Sequence, residues 1–274
     1  MYKRIPETIR KKTNSLLKKK LIDVEDLAPL VYIHNYLNGI EKKNRFHHVV
    51  LDEAQDFSPF QVAVLQEMTR KNSFTILGDL SQGIHSYQGI QDWSEILELF
   101  GEESKQGYFE LNKSYRSTME IIEFANSIIS KINPIHLAVP VFRSGDEVNV
   151  LKTTTTNRIQ TVLNIIEDFQ KDKANTIAIV GRTEEECELL HQGLHEAGVD
   201  ATIITADQSN YEGGISIIPI YLTKGLEFDA VLITDVDHDH YTLTEEDAKL
   251  LYIGCTRALH NLCLLYSGTK SPLL

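Results

Sequence analysis

The chain has 274 residues, 42% of them hydrophobic and 24% charged, with a net charge of -12. That length holds one large domain or two modest ones, and the composition excludes wholesale disorder. The acidity excludes a broad basic surface that would bind nucleic acid by neutralising its phosphates.

Charge is unevenly spread. Residues 1–20 hold eight basic side chains against Glu7 alone, a net +7, which leaves -19 on residues 21–274. Ile9, Leu16, Leu17 and Leu21 recur at helical spacing and predict a helix over 8–22. Its basic stretch Arg10–Lys20 reads as a solvated face. A second helix is expected over 24–38, closed by Asn38-Gly39. From residue 46 short apolar runs alternate with longer periodic segments. Strands are expected at 48–51, 73–77, 176–180, 214–219, 230–234 and 262–266, and helices at 59–71, 92–100, 117–132, 157–171, 183–197 and 245–258. Such alternation predicts parallel sheets of α/β type. The polar, glycine-bounded stretch Gly101–Gly107 marks a domain boundary, and Thr153–Thr156 reads as a strand end. Cys187, Cys255 and Cys263 lack metal-site or disulfide spacing, which fits a reducing, cytoplasmic compartment. No apolar run is long enough to predict a membrane span.

Two stretches carry the chemistry. In His48-Val-Val-Leu-Asp-Glu-Ala-Gln-Asp56 an apolar strand ends in two adjacent carboxylates. Ligands gather at the carboxyl ends of parallel strands, so Asp52 could hold Mg²⁺ against a phosphate and Glu53 could activate water. The alternative is an acidic turn leading into a helix at Asp56-Phe-Ser-Pro. One strand later, Phe74-Thr-Ile-Leu-Gly-Asp-Leu-Ser-Gln-Gly-Ile-His-Ser-Tyr-Gln-Gly89 places Gln82 and Tyr87 in a loop. There a glutamine can sense a terminal phosphate or position water; the alternative is a polar β-to-α loop. The run Asp235-Val-Asp-His-Asp-His240 holds metal-ligand residue types but follows a strand, where a polar loop is expected.

The chain resembles the UvrD/Rep-type superfamily 1 helicases. Asp52–Asp56 matches that family's motif II and Gly78–Gly89 its motif III. Leu111-Asn-Lys-Ser-Tyr-Arg-Ser-Thr118 matches motif IV, Lys224-Gly-Leu-Glu-Phe-Asp229 motif V, and Leu251-Tyr-Ile-Gly-Cys-Thr-Arg-Ala258 motif VI. Ile177–Thr183 resembles the strand-plus-arginine segment that follows motif IV. The resemblance implies ATP and Mg²⁺ as cofactors. It puts Asp52 on Mg²⁺, Glu53 on the attacking water, Gln82 and Arg116 at the γ-phosphate, and Tyr115 on the adenine. Glu227 would reach the ribose or the phosphate network, and Arg257 would be an arginine finger. Tyr87, Thr223 and Lys224 would meet nucleic acid, with single-stranded DNA as partner.

Departures from the pattern are equally legible. No Gly-x-x-x-x-Gly-Lys-[Ser/Thr] run precedes motif II, so the chain is expected to bind ATP weakly or not at all by itself and to be the C-terminal part of a longer protein. Tyr221-Leu-Thr223 stands where the family has His-Ser-Ala, and Gln88 where motif III has arginine. About 100 residues between motifs IV and V leave no room for the family's large helical insertion. These features resemble the HelD-like branch, which implies RNA polymerase as a partner. The expected fold is a pair of RecA-like lobes of parallel sheet, the first incomplete. Residues 1–45 would be a helical lead-in, 46–107 the partial first lobe and 108–274 a near-complete second lobe. An apolar surface is expected near 46–80, covered by the lead-in helices. Three functions compete: a DNA helicase or translocase, an RNA polymerase-recycling motor acting mainly on protein, and a catalytically dead interaction module.

Overall fold

The computed structural model describes residues 7–84, 89–90, 92–101, 105–132, 137–206 and 213–274. The chain forms two compact units, residues 1–80 with 85–107, and residues 81–84 with 108–274.

In the first unit, α1 (Glu7–Lys18) and α2 (Leu27–Asn38) are followed by β1 (Val49–Leu51), α3 (Pro59–Glu67), β2 (Phe74–Ile76) and α4 (Ser94–Phe100). The helix expected over 24–38 starts three residues late, because Asp23 accepts the Val24 amide and holds Val24–Asp26 in a 3-10 turn. Gly39, at φ +72°, ends α2 where a side chain would be strained. Strands β1 and β2 pair in parallel, Val49 opposite Phe74 and Leu51 opposite Ile76. A capping box starts α3: Ser58 Oγ accepts the Gln61 amide while Gln61 Oε1 accepts the Ser58 amide, and Pro59 fills the first turn. Leu51, Ala54, Val62, Ile90 and Ile96 form a small core with Trp93 and Phe100 against it. Val50 and Leu77 remain exposed. Helix α2 packs on α3, Tyr32 meeting Phe60 edge to face at 5.6 Å. The expected cover is thus incomplete: Val50 is 61% exposed, and no residue of α1 or α2 is itself buried.

The second unit adds β3 (Lys113–Ser114), α5 (Met119–Ile129), β4 (Val139–Pro140), β5 (Asn149–Thr153), α6 (Arg158–Lys171), β6 (Thr176–Gly181), α7 (Glu184–Glu196), β7 (Thr202–Ile203), β8 (Gly214–Pro219), β9 (Phe228–Ile233), α8 (Glu245–Cys255) and β10 (Ala258–Ser267). Six strands form one parallel sheet in the order β5-β10-β9-β6-β8-β7, and β3 pairs with β4 separately. The strand period of two sorts β6 between faces. Ala178 and Val180 join α5 and α8 on one side, and Ile177 and Ile179 join α6 and α7 on the other. Each fully buried isoleucine contributes about 1.5–3 kcal/mol. Helices α7 and α8 start alike. Thr183 and Thr244 accept the Glu186 and Asp247 amides, and three acidic residues in each first turn favour the positive end of the helix dipole. Gly254 lets α8 sit close to the sheet, since a Cβ there would lie 2.9 Å and 3.0 Å from the Cδ1 atoms of Ile220 and Ile233.

Candidate functional site

The paired carboxylates follow β1 in the first unit. Glu53 adopts the left-handed conformation at φ 54°, a backbone state that costs a non-glycine residue about 1–3 kcal/mol. Asp52 Oδ1 accepts the Glu53 amide at 2.9 Å. Gln55, almost fully buried, holds the corner: its Nε2 donates to Glu53 Oε2 at 2.6 Å and its Oε1 accepts the Asp79 amide at 2.9 Å. Gly78 is required beside it, because a Cβ there would lie 2.5 Å from Gln55 Oε1. Gln55 therefore ties the strand end after β1 to that after β2. Gln55 lies inside the acidic motif, but nothing in the sequence marks it as the residue that joins the two strand ends.

A second cluster lies at the amino ends of β9 and β10 in the second unit. Arg116 Nε and Glu227 Oε1 form an ion pair at 2.7 Å, with both side chains nearly half exposed. Arg257 is only 2% exposed. Its guanidinium donates to the carbonyl of Ile253 at 3.2 Å, to Thr256 Oγ1 at 3.2 Å and to Gln82 Oε1 at 3.1 Å. Its Nη1 lies 3.5 Å from the Leu226 carbonyl, and its own carbonyl accepts the Phe228 amide. Residues 226–228 therefore run from the Arg257 group to Glu227 and Arg116, so four predicted site residues form one connected set. Arg257, the expected arginine finger, is folded inward onto oxygen acceptors.

Tyr115 is 70% exposed beside Arg116, its ring open for stacking. Thr223 is the reverse. It is fully buried and its hydroxyl donates to the Ile220 carbonyl at 2.6 Å, so its side chain is turned away from the surface. Lys224 is half-buried. Tyr87 and Gln88 lie outside the described residues.

The carboxyl edge of the same sheet carries buried ion pairs. Arg158 meets Asp235, and Arg182 Nη1 meets Asp247 Oδ1 at 2.7 Å with its guanidinium over the Tyr241 ring. Burial pushes Asp235 above the ordinary carboxylate range against the pull of Arg158. Burial also pushes at Asp247, but the Thr242 hydroxyl and amide and Arg182 outweigh it and hold that carboxyl low. His240 Nδ1 lies 2.7 Å from Asp237 Oδ1. Within the run 235–240, Asp235 is thus paired with Arg158 and Asp237 with His240. Among the described residues no group of three or more His, Cys, Asp or Glu could hold a metal ion.

Two adjacent carboxylates are too few to cage a metal alone. They do fit Mg²⁺ as that ion is usually held, by one or two carboxylates together with substrate phosphates and water. Among the described residues no helix is long and apolar enough to cross a membrane.

Comparison with known proteins accords with this architecture. The UvrD/REP helicase N-terminal domain matches residues 2–100. Models of the UvrD-like helicase C-terminal domain match 109–209 and 214–265. The chain is 25% identical over 259 residues to DNA helicase IV of Escherichia coli K12, covering 83% of this chain and 35% of that protein. To DNA helicase II of Haemophilus influenzae it is 29% identical over 106 residues, 38% of this chain and 14% of that one. It therefore spans about a third or less of these curated relatives. A crystal structure of the C-terminal domain of a possible DNA helicase from Lactobacillus plantarum WCFS1 is 34% identical, with a TM-score of 0.50 over 58% of this chain and 91% of that domain. The parallel sheets are those of RecA-like lobes, and the chain belongs to the UvrD/Rep family of superfamily 1 helicases.

Proposed function

We propose that this chain carries the phosphate-sensing elements of an ATP-dependent DNA helicase or translocase. The observation that carries the reading is the connected set Arg116, Glu227, Arg257 and Gln82. In this reading Asp52 would hold Mg²⁺ and Glu53 would take a proton from the attacking water. Gln82 and Arg116 contact the γ-phosphate, Tyr115 stacks on the adenine, and Glu227 holds Arg116 until phosphate is present. Arg257 turns outward from its carbonyl cage to complete the charge. MgATP, when bound, supplies the phosphoanhydride bond broken by water. Lys224 and Tyr87 are the remaining candidates for nucleic-acid contact. The test is ATP hydrolysis by the full-length protein with and without single-stranded DNA. Loss of an arginine finger costs about 10³–10⁵ in rate, so Arg257→Ala and Arg116→Ala should each lower turnover steeply while nucleotide still binds. Unchanged turnover in both would overturn the assignment.

Within the family the HelD-like branch is the finer placement, supported by Leu222–Asp229 and Leu250–His260. A second reading, a motor acting mainly on RNA polymerase, is favoured by charge. The arginines at the carboxyl edge, Arg158 and Arg182, are neutralised by Asp235 and Asp247. Residues 21–274 carry -19. Co-purification with RNA polymerase and little stimulation by DNA would select this reading. Strong stimulation by DNA without co-purification would reject it.

A further inference from the structure

The stretch Leu111–Thr118 contains Arg116 but has almost no regular structure of its own, only the two-residue strand β3. What fixes it is the segment 139–145. Lys113 and Ser114 pair with Val139 and Pro140, and the Val141 amide donates to the Ser114 carbonyl at 3.0 Å. The Met119 amide donates to the Arg143 carbonyl at 2.9 Å, and Ser144 Oγ and the Gly145 amide both donate to the Glu120 carboxylate. Gly145 lies so close to Thr118 that a Cβ would stand 2.4 Å from Thr118 Cγ2.

At the centre of this strap is Arg143. Its Nη1 donates to the carbonyl of Arg116 at 2.8 Å, and its Nη2 lies 3.0 Å from His260 Nδ1. His260 sits on β10, three residues after Arg257. One planar guanidinium thus links the backbone of Arg116 to the strand that follows Arg257. Lysine, with a single ammonium, lacks such a fork.

We propose that Arg143 is a positioning residue. It fixes the peptide of Arg116 so that the Arg116 guanidinium points at Glu227, and in the working enzyme at the phosphate that takes Glu227's place. This rests on the reading of Arg116 as a phosphate contact. Arg143 is itself exposed and lines an open cleft of about 570 Å³ with His260 and Asp229. An exposed charged contact adds little stability, so the role of Arg143 is directional and its loss leaves the fold intact.

The test is carried out first on this chain without nucleotide. The ¹⁵Nε–H resonance of Arg116 reports its pairing with Glu227. Arg143→Ala should shift that resonance to a rapidly exchanging position while the thermal midpoint by circular dichroism moves by no more than about 2 °C. Arg143→Lys, which keeps a donor for the Arg116 carbonyl, should restore it in part. In the full-length protein Arg143→Ala should lower kcat for ATP about tenfold to a hundredfold, the scale of a small misplacement, with KM held within about twofold. An unchanged Arg116 resonance in a folded Arg143→Ala chain overturns the proposal. So does a loss that comes with a lower midpoint and is not restored by Arg143→Lys, because that marks a purely structural role. The two readings fail separately. If Arg143→Ala frees Arg116 but Arg116→Ala leaves turnover intact, Arg143 still positions Arg116 and the phosphate role of Arg116 falls. If Arg116→Ala abolishes turnover and Arg143→Ala changes nothing, only the positioning role falls.

Discussion

Replacing Arg257 by alanine and, separately, by methionine measures how firmly the guanidinium is caged. The side chain is 2% exposed and donates to Ile253, Thr256 and Gln82. Its three buried methylenes represent about 2 kcal/mol at ~0.8 kcal/mol each. Hydrogen bonds from a charged donor add about 1.5–3 kcal/mol, and removing a buried charge returns part of that through relieved desolvation. The Ile253 carbonyl keeps a second donor, Thr256 Oγ1 at 3.0 Å, which limits the penalty further. The expected loss is about 2–4 kcal/mol for Arg257→Ala and about 1 kcal/mol for Arg257→Met, which keeps the stem and discards the fork. Urea unfolding of the chain at neutral pH, followed by circular dichroism, reads both. If the two variants lie within about 0.5 kcal/mol of the parent, the guanidinium and its stem spend their time in solvent and the inward-folded finger is wrong.

Two further outcomes follow from the geometry. Burial pushes the His240 imidazolium toward the neutral form, but the hydrogen bond and charge of Asp237, with Glu186 and Asp235 nearby, prevail and raise its pKa. The stabilisation it brings is therefore complete below the unfolded histidine value of about 6.5 and fades as pH rises through the folded value. A nuclear magnetic resonance titration should place His240 above that value, and a midpoint at or below it would refute the pairing. Gly78→Ala would put a Cβ 2.5 Å from Gln55 Oε1 and 2.9 Å from Trp93 Cη2. Overpacking of this kind costs about 1–3 kcal/mol. Because Trp93 is the chain's single tryptophan, its emission should shift, and an unchanged spectrum would mean that the corner after β1 and β2 is looser than drawn.

What could be read in advance depended on burial. The run Thr176–Val180 is buried on both faces, and its apolar continuity marks β6 unambiguously. The periodic segments 183–197 and 245–258 located α7 and α8, which the structure shows capped by Thr183 and Thr244. Strands β3, β4 and β7 have two residues each, too short for any period to register. The edge strand β5 is half exposed and mixes Asn149, Lys152 and Thr153 with its apolar residues. At the candidate site the order of motifs named the residues but not their orientation. Thr223 and Arg257 point inward while Tyr115 points outward, a difference that residue type does not encode. Nor could Gln82 and Arg257 be paired beforehand, since 175 residues separate them in sequence.

The two edges of the second unit's sheet differ in what their arginines can give up. Arg182 pairs with Asp247, whose side chain is 7% exposed, and Arg158 with Asp235, whose side chain is 12% exposed. Breaking a buried pair by removing one partner costs about 3–5 kcal/mol, because a charge is left uncompensated away from water. An incoming phosphate at that edge would have to meet this cost and also face the carboxylates left behind. Arg116 and Glu227 are nearly half exposed, and such a pair is worth at most about 1 kcal/mol. A phosphate can take Glu227's place there at small cost, because both partners are already hydrated and the planar fork of Arg116 suits two phosphate oxygens. Parallel sheets usually receive ligands at their carboxyl edge. In this unit an exchange with phosphate would cost least at the half-exposed Arg116–Glu227 pair on the amino edge.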